Sequence, residues 1–215
     1  MFYINNNIHT CDIIGDVHGC LSTLVQLLTD IGALKNDGTA NLDYDRTLVF
    51  VGDLVDRGYA SYGVIALIQQ LQADGISIIV CMGNHDSKLM RALDGNNVTM
   101  NPDLENTIKQ IPRDQIPNVV DFLWRLPRAI VLDNSKLLIG HAGVTQGVLK
   151  KILTDPQNVK KRNLGLCLYG ESIGNDENGL PIRSTEWCQE YTGENSPLVV
   201  YGHTMVAEPT FIERT

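Results

Sequence analysis

The sequence predicts an α/β fold with a buried, largely parallel sheet, and two repeated features point to it. Three short β-branched apolar runs, Thr10 to Ile14, Thr47 to Val51 and Ile76 to Met82, are each followed by a loop of Gly, Asp, Asn and His. Each loop then leads into a segment of helical character: Leu21 to Ile31, Ser61 to Ala73 and Ser87 to Leu93. Successive strand-loop-helix units imply parallel strands with helices on the sheet faces. The loops then gather at the carboxyl ends of the strands, where open α/β sheets bind ligands.

The remaining elements follow in order. After Asp94 the sequence turns Asn- and Pro-rich, with a weaker helical stretch from about Asp103 to Arg125 that would suit a cap at about 95–126. Arg128 to Leu132 and Lys136 to Gly140 flank Asp133-Asn134-Ser135, a turn with hairpin chemistry, so an antiparallel pair is expected. Gly170 to Gly179 is polar and Gly-rich and is expected to be a long surface loop, either a connector or a substrate contact. Leu198 to Tyr201 is the last apolar run. A chain of 215 residues can bury one sizeable core, so a single domain over 1–215 is expected.

Composition narrows the function. Hydrophobic residues make up 43% of the chain and mean hydropathy is near zero, as in a soluble globular protein. No apolar stretch is long enough to span a bilayer, and the first residues lack the basic and apolar regions of a secretory signal, so a cytoplasmic location is expected. Five cysteines with no Cys-x-x-Cys spacing argue for buried free thiols over disulfides or a cysteine zinc site. A net charge of −8 disfavours a broad duplex-binding surface, although bound divalent cations would reverse the field locally. No Gly-x-x-x-x-Gly-Lys-Ser/Thr loop is present, so kinase chemistry is unsupported. Trp124 and Trp187 are expected in the core, and nothing in the sequence bears on oligomeric state.

The loops carry the chemistry. Gly15-Asp16-Val17-His18-Gly19, Gly52-Asp53-Leu54-Val55-Asp56-Arg57-Gly58, Gly83-Asn84-His85-Asp86, Gly140-His141 and Gly202-His203-Thr204 hold four of the five histidines. Asp16 and His18 alternate, so in an extended segment both face one side and can share a metal. A carboxylate such as Asp53 can bridge two cations about 3.5–4 Å apart. The expected ligands are therefore Asp16, His18 and Asp53 for one metal, and Asp53, Asn84, His141 and His203 for the other. This donor mix suits Mn²⁺, Fe, Zn or Ni, with Mn²⁺ the leading expectation.

The motif order Gly-Asp-x-His-Gly, Gly-Asp-x-Val-Asp-Arg-Gly, Gly-Asn-His-Asp, Gly-His-Ala and Gly-His-Thr resembles the calcineurin-like metallophosphoesterases, in the branch of the serine/threonine phosphoprotein phosphatases. The resemblance implies a β-sandwich of mixed sheets flanked by helices and the same ligand set. Gly15 to Cys20 and Phe122 to Gly143 look like both the dinucleoside tetraphosphatases and the phosphatase domain of bacterial polynucleotide kinase-phosphatase. Leu168 to Glu171, Gly179 to Arg183 and Val199 to Thr204 look more like the second. Tyr59 stands where many relatives have proline. Relatives also continue past the position of His203 into further strand, so a truncated chain or a differently closed sheet edge is expected.

The expected reaction is hydrolysis of phosphomonoesters by a hydroxide activated by two metals, with polynucleotide 3′-phosphate ends as the favoured substrate. The rivals are dinucleoside polyphosphates, phosphoproteins, and a non-catalytic metal-binding module. Arg57 is expected to clamp the transferring phosphoryl group, against the alternative of a salt bridge to Asp53 or Asp56. His85 is expected to be the general acid, oriented by Asp56, and the resemblance implies the same pairing. Asp86 and Ser87 are expected to cap a helix. Lys88, Arg91 and Arg183 are either further phosphate contacts or solvated surface charges.

Overall fold

The structure, a computed structural model, describes residues 1–177, 179, 181–191 and 196–206. Its strands are β1 (Tyr3–Asn5), β2 (Cys11–Ile14), β3 (Thr47–Phe50), β4 (Ile78–Val80), β5 (Ile130–Leu132), β6 (Leu137–Ile139), β7 (Ser172–Asn175), β8 (Pro181–Arg183) and β9 (Leu198–Val200). Its helices are α1 (Leu21–Asp30), α2 (Ser61–Ala73), α3 (Asn84–Leu93), α4 (Pro102–Gln110), α5 (Ile116–Arg125), α6 (Gln146–Thr154) and α7 (Lys161–Tyr169). They divide into two compact units, one formed by residues 10–126 and the other by residues 1–9 with those from 127 onward.

In the unit of residues 10–126, β2, β3 and β4 form a parallel sheet in that order, with Ile14 beside Phe50 and Phe50 beside Val80. All four residues of β3 are buried, as its central place requires. Each strand leads into a helix, as the repeated pattern predicts. The third helix starts at Asn84 rather than Ser87, because Gly83 takes an extended N-cap conformation and the Asp86 carboxylate accepts its N–H at 3.0 Å. The helical stretch expected over Asp103 to Arg125 is divided. Pro112 has no N–H to donate and biases Ile111 to extended backbone, so α4 ends there and a 3-10 turn at Arg113–Gln115 leads into α5. Trp124 is 55% exposed, contrary to its expected core position, because α5 buries Val119, Phe122 and Leu123 and the next residue rotates outward.

In the other unit the sheet order is β1-β5-β6-β9. The β5–β6 pair is antiparallel, while β1 runs parallel to β5 and β9 parallel to β6. The expected turn at Asp133-Asn134-Ser135 is present, with all three residues at positive φ. Trp187 is buried here as expected, lying so close over Gly143 that an added Cβ would come within 2.2 Å of its Cζ2. No helix is expected from the sequence over 145–170, yet α6 and α7 occupy most of it. Thr145 caps α6 by accepting the Val148 N–H, and Val148, Leu149 and Ile152 pack into the core beside Cys167. The expected long loop at Gly170 to Gly179 instead contains β7, which pairs with β8 as an exposed hairpin. Asn178 and Leu180 of that segment, and the chain after Val206, lie outside the described residues. Cys20 is exposed, so burial does not account for every thiol.

Asp12, for which the sequence offers a loop cap or a pairing with an arginine, takes the second and ties β2 to the approach to β3. Its carboxylate accepts from Arg46 Nε at 2.8 Å and Nη2 at 2.7 Å, and from the Tyr44 hydroxyl. The Arg46 hydrogen bonds hold the Asp12 carboxyl below its ordinary range. Such a group stabilises the fold above its unfolded value of about 3.9, and that stability is lost as pH falls through the lower folded value. Because the pair is partly exposed, solvent screening limits the effect to about 1 kcal/mol or less. We expect Asp12→Asn to lower the urea midpoint at pH 7 and to match the parent protein near the acid limit; an equal deficit at both pH values would show that the charge is not responsible.

Candidate metal centre

Five of the eight non-glycine residues with positive φ among the described residues are expected site residues: His18, Asp53, Asp56, Arg57 and His203. The other three form the β5–β6 turn. Left-handed backbone at such residues is held by surrounding structure and is concentrated where side chains must be aimed at a ligand.

In the unit of residues 10–126, the loops after β2, β3 and β4 meet at main-chain distance. Val17 N–H and His18 N–H both donate to the Asp53 carbonyl, at 3.1 and 2.9 Å, and Gly58 N–H donates to the His18 carbonyl at 2.9 Å. A Cβ on Gly58 would lie 2.2 Å from that carbonyl, and one on Gly83 would lie 2.1 Å from Asp53 Oδ1. Glycine at both positions is therefore a steric condition of the site. Asp53 is 1% exposed; its Oδ1 accepts the His85 N–H at 2.9 Å, and its Oδ2 lies 3.6 Å from His18 Nε2.

His18, Asp53 and His85 each place a ligand atom within 4.8 Å of the others. His18 Nδ1 lies 2.9 Å from the Val55 carbonyl. Donation to that carbonyl leaves Nε2 as the electron-pair donor on the Asp53 side, the tautomer a metal ligand needs. Burial lowers the pKa of His18 and so favours the neutral ring, with the Val55 hydrogen bond opposing. Asp16, two residues before His18, and Asn84, the first residue of α3, are half-buried on the same loops. Carboxylate, imidazole and amide donors of this kind fit a divalent cation of the Mn, Fe, Zn or Ni type.

Beside this group is an ordered acid. His85 Nδ1 lies 2.7 Å from Asp56 Oδ2, and the Thr107 hydroxyl donates to Asp56 Oδ1 at 2.7 Å. Burial alone would depress His85, but the Asp56 hydrogen bond and the charges of Asp53 and Asp56 outweigh it, so the pKa is raised. Arg57 is exposed and makes no ion pair among the described residues, so the expected alternative of a salt bridge to Asp53 or Asp56 is not realised.

The sequence does not reveal the supports of this arrangement. Ser61 on α2 accepts the Asp56 N–H at 3.0 Å, and Thr107 comes from α4, 51 residues from Asp56. Asp86 does more than cap α3: fully buried, it also accepts the Leu54 N–H at 2.9 Å and so joins the second loop to the third. Ser61 stands out as a polar residue on the largely apolar α2, but Asp86 and Thr107 lie on polar helices where nothing marks them.

In the other unit, Ile139 and Val200 are register partners on β6 and β9, and each strand delivers a histidine just beyond its end. His203 Nδ1 lies 3.2 Å from His141 Nε2, with His141 fully buried and the rings edge to face.

Known proteins resemble this chain along most of its length. The calcineurin-like phosphoesterase family matches residues 10–207. An asymmetrical bis(5′-nucleosyl)-tetraphosphatase, PrpE, of Oceanobacillus iheyensis is 36% identical over 95% of this chain and 80% of its own length. The protein of the same name in Bacillus mycoides is 34% identical over 95% of this chain and 82% of its own. A cold-active protein-tyrosine phosphatase of a Shewanella species shares the fold, with a TM-score of 0.59 at 20% identity over 94% of this chain and 67% of its own. The chain thus belongs to the calcineurin-like phosphoesterase family, metal-dependent hydrolases that work with a binuclear divalent centre.

Proposed function

We propose that this chain hydrolyses bis(5′-nucleosyl) tetraphosphates, and that Asp16, His18, Asp53, Asn84, His141 and His203 are the ligands of its two cations, with Mn²⁺ as the metal. The observation that carries the substrate is the identity of 36% to a protein bearing that name, over nearly the whole chain. It outweighs the local likeness of residues 168–171, 179–183 and 199–204 to polynucleotide-end phosphatases, which cover short segments. The ligand assignment rests on family membership together with the His18, Asp53 and His85 grouping.

Divalent cations bound to these ligands supply charge neutralisation on the phosphates and acidify water. The remaining work falls to the protein's own groups. Exposed Arg57 donates to two oxygens of the phosphoryl group under attack, a task that a guanidinium performs bidentately. His85, whose pKa the Asp56 hydrogen bond and the Asp53 and Asp56 charges raise, places a proton against the leaving oxygen. Asp56 is held in its direction by the Thr107 hydroxyl on its other oxygen.

Two measurements test this. With Mn²⁺ present, release from diadenosine tetraphosphate should exceed phosphate release from a 3′-phosphorylated oligonucleotide at equal concentration; the reverse order would restore the end-healing reading, and activity on neither would favour phosphoproteins or a non-catalytic module. His85→Ala should slow an alkyl phosphomonoester about 10²-fold or more, the usual contribution of a general acid, and slow the tetraphosphate less because its leaving group is a weaker base. Equal losses on both substrates would remove the proton-donor role.

A further inference from the structure

The chain carries a net charge of −8, yet five of its seventeen Lys and Arg residues fall between positions 150 and 162, where Asp155 is the single acidic residue. They lie on α6 and at the start of α7. Here a concavity of about 450 Å³ is lined by Gly147, Lys151, Asn158, Lys160, Arg162 and Asn163. Asp155 is already engaged: its carboxylate accepts from Lys151 Nζ at 2.6 Å and from Asn158 Nδ2 at 2.9 Å, which holds it below the ordinary carboxylate range. Lys160 and Arg162 are exposed and form no ion pair among the described residues.

Lys160 and Arg162, two like charges two residues apart with no counter-charge among the described residues, repel each other, and an anion bridging them relieves that repulsion. The volume is in the range of small-molecule sites, about 300–1,000 Å³. An extended polyanion such as duplex nucleic acid would meet the acidic remainder of the surface, whereas a short one would not. We propose that this concavity is a second anion site that takes a small oligophosphate, free or as the phosphate tail of a nucleotide. None of its lining residues belongs to the candidate metal centre. The proposal therefore stands whether or not the tetraphosphatase reading does.

The test is calorimetric titration of inorganic tripolyphosphate into the full chain stripped of metal with a chelator. The parent protein and Arg57→Ala should bind alike, while Lys160→Glu with Arg162→Glu should weaken binding at least about tenfold, the scale of losing two charge-assisted contacts. The same charge change elsewhere, Lys109→Glu with Arg113→Glu, should cost less than about twofold if the contact is local. Titration with ATP separates a nucleotide from its phosphates: tighter binding than tripolyphosphate extends the site to the nucleoside, and equal binding confines it to the phosphates. No binding by the parent, an unaffected Lys160/Arg162 double variant, or an equal loss in the Lys109/Arg113 control would each overturn the proposal. If the glutamate pair alters the circular dichroism spectrum, Lys160→Gln with Arg162→Gln replaces it. Turnover at the metal centre, measured with Mn²⁺ and p-nitrophenyl phosphate, should be unchanged in the Lys160 and Arg162 variants, which keeps this test separate from that of the substrate.

Discussion

The site in residues 10–126 depends on one buried carboxylate, that of Asp86. Its two oxygens accept the Leu54 and Gly83 N–H groups, which belong to different loops and have no water to turn to. Leaving either donor unsatisfied costs about 1–3 kcal/mol, so the carboxylate fixes the separation of the β3 and β4 loop ends. At that separation Gly83 lies against Asp53 with no room for a side chain, and the His85 N–H reaches Asp53 Oδ1. The direction of Asp53, and through it the grouping with His18 and His85, follows from a residue that touches neither histidine ring.

Charge gives the three buried acids different roles. Asp53, Asp56 and Asp86 are each at most 1% exposed, and a buried carboxylate is tolerated only when its oxygens are engaged. Asp86 is satisfied by backbone donors. Asp56 is satisfied by Thr107 on one oxygen and His85 on the other. Asp53 has one oxygen on the His85 N–H and the other facing His18 Nε2 at a distance too long for a hydrogen bond. Asp53 Oδ2 and His18 Nε2 face each other, and both belong to the ligand set of the proposed function.

Much of this was legible in the sequence, and the reason is local. Asp16, His18, Asp53, Asn84, His85, His141 and His203 each lie within a few residues of a strand end, where glycine punctuation and an apolar run mark their place. What was not legible depends on contacts between distant positions. Thr107 and Ser61 look like ordinary helix residues until folding brings them to Asp56, 51 and 5 residues away in the chain. The Tyr44, Arg46 and Asp12 cluster is likewise a product of strand pairing, since register places Asp12 beside Leu48 and so brings Arg46 within reach. Helix α6 carried a readable signal, the Thr145 cap followed by Val148, Leu149 and Ile152, but Gly147 in its first turn weakens its propensity. The β7–β8 hairpin has no buried face, so the alternation that marks most strands is missing from its sequence.

The hydrogen-bonded pair of His85 and Asp56 fits more than one phosphoester reaction. An alkyl phosphomonoester expels a strongly basic oxygen and needs a proton; a phosphoanhydride expels a phosphate oxygen that is stable as an anion. A protonated imidazole lowers the barrier in both, as an acid in the first case and as a positive charge beside the departing oxygen in the second. Arg57 is equally indifferent, because any phosphoryl group presents two oxygens to its fork. In the proposed reading these residues define the bond class and leave the substrate to the surfaces that bind what is attached to the phosphate. For a molecule with four phosphates, groups outside the candidate metal centre become part of selectivity, because a phosphate beyond the cations is met by lysine, arginine or backbone N–H donors.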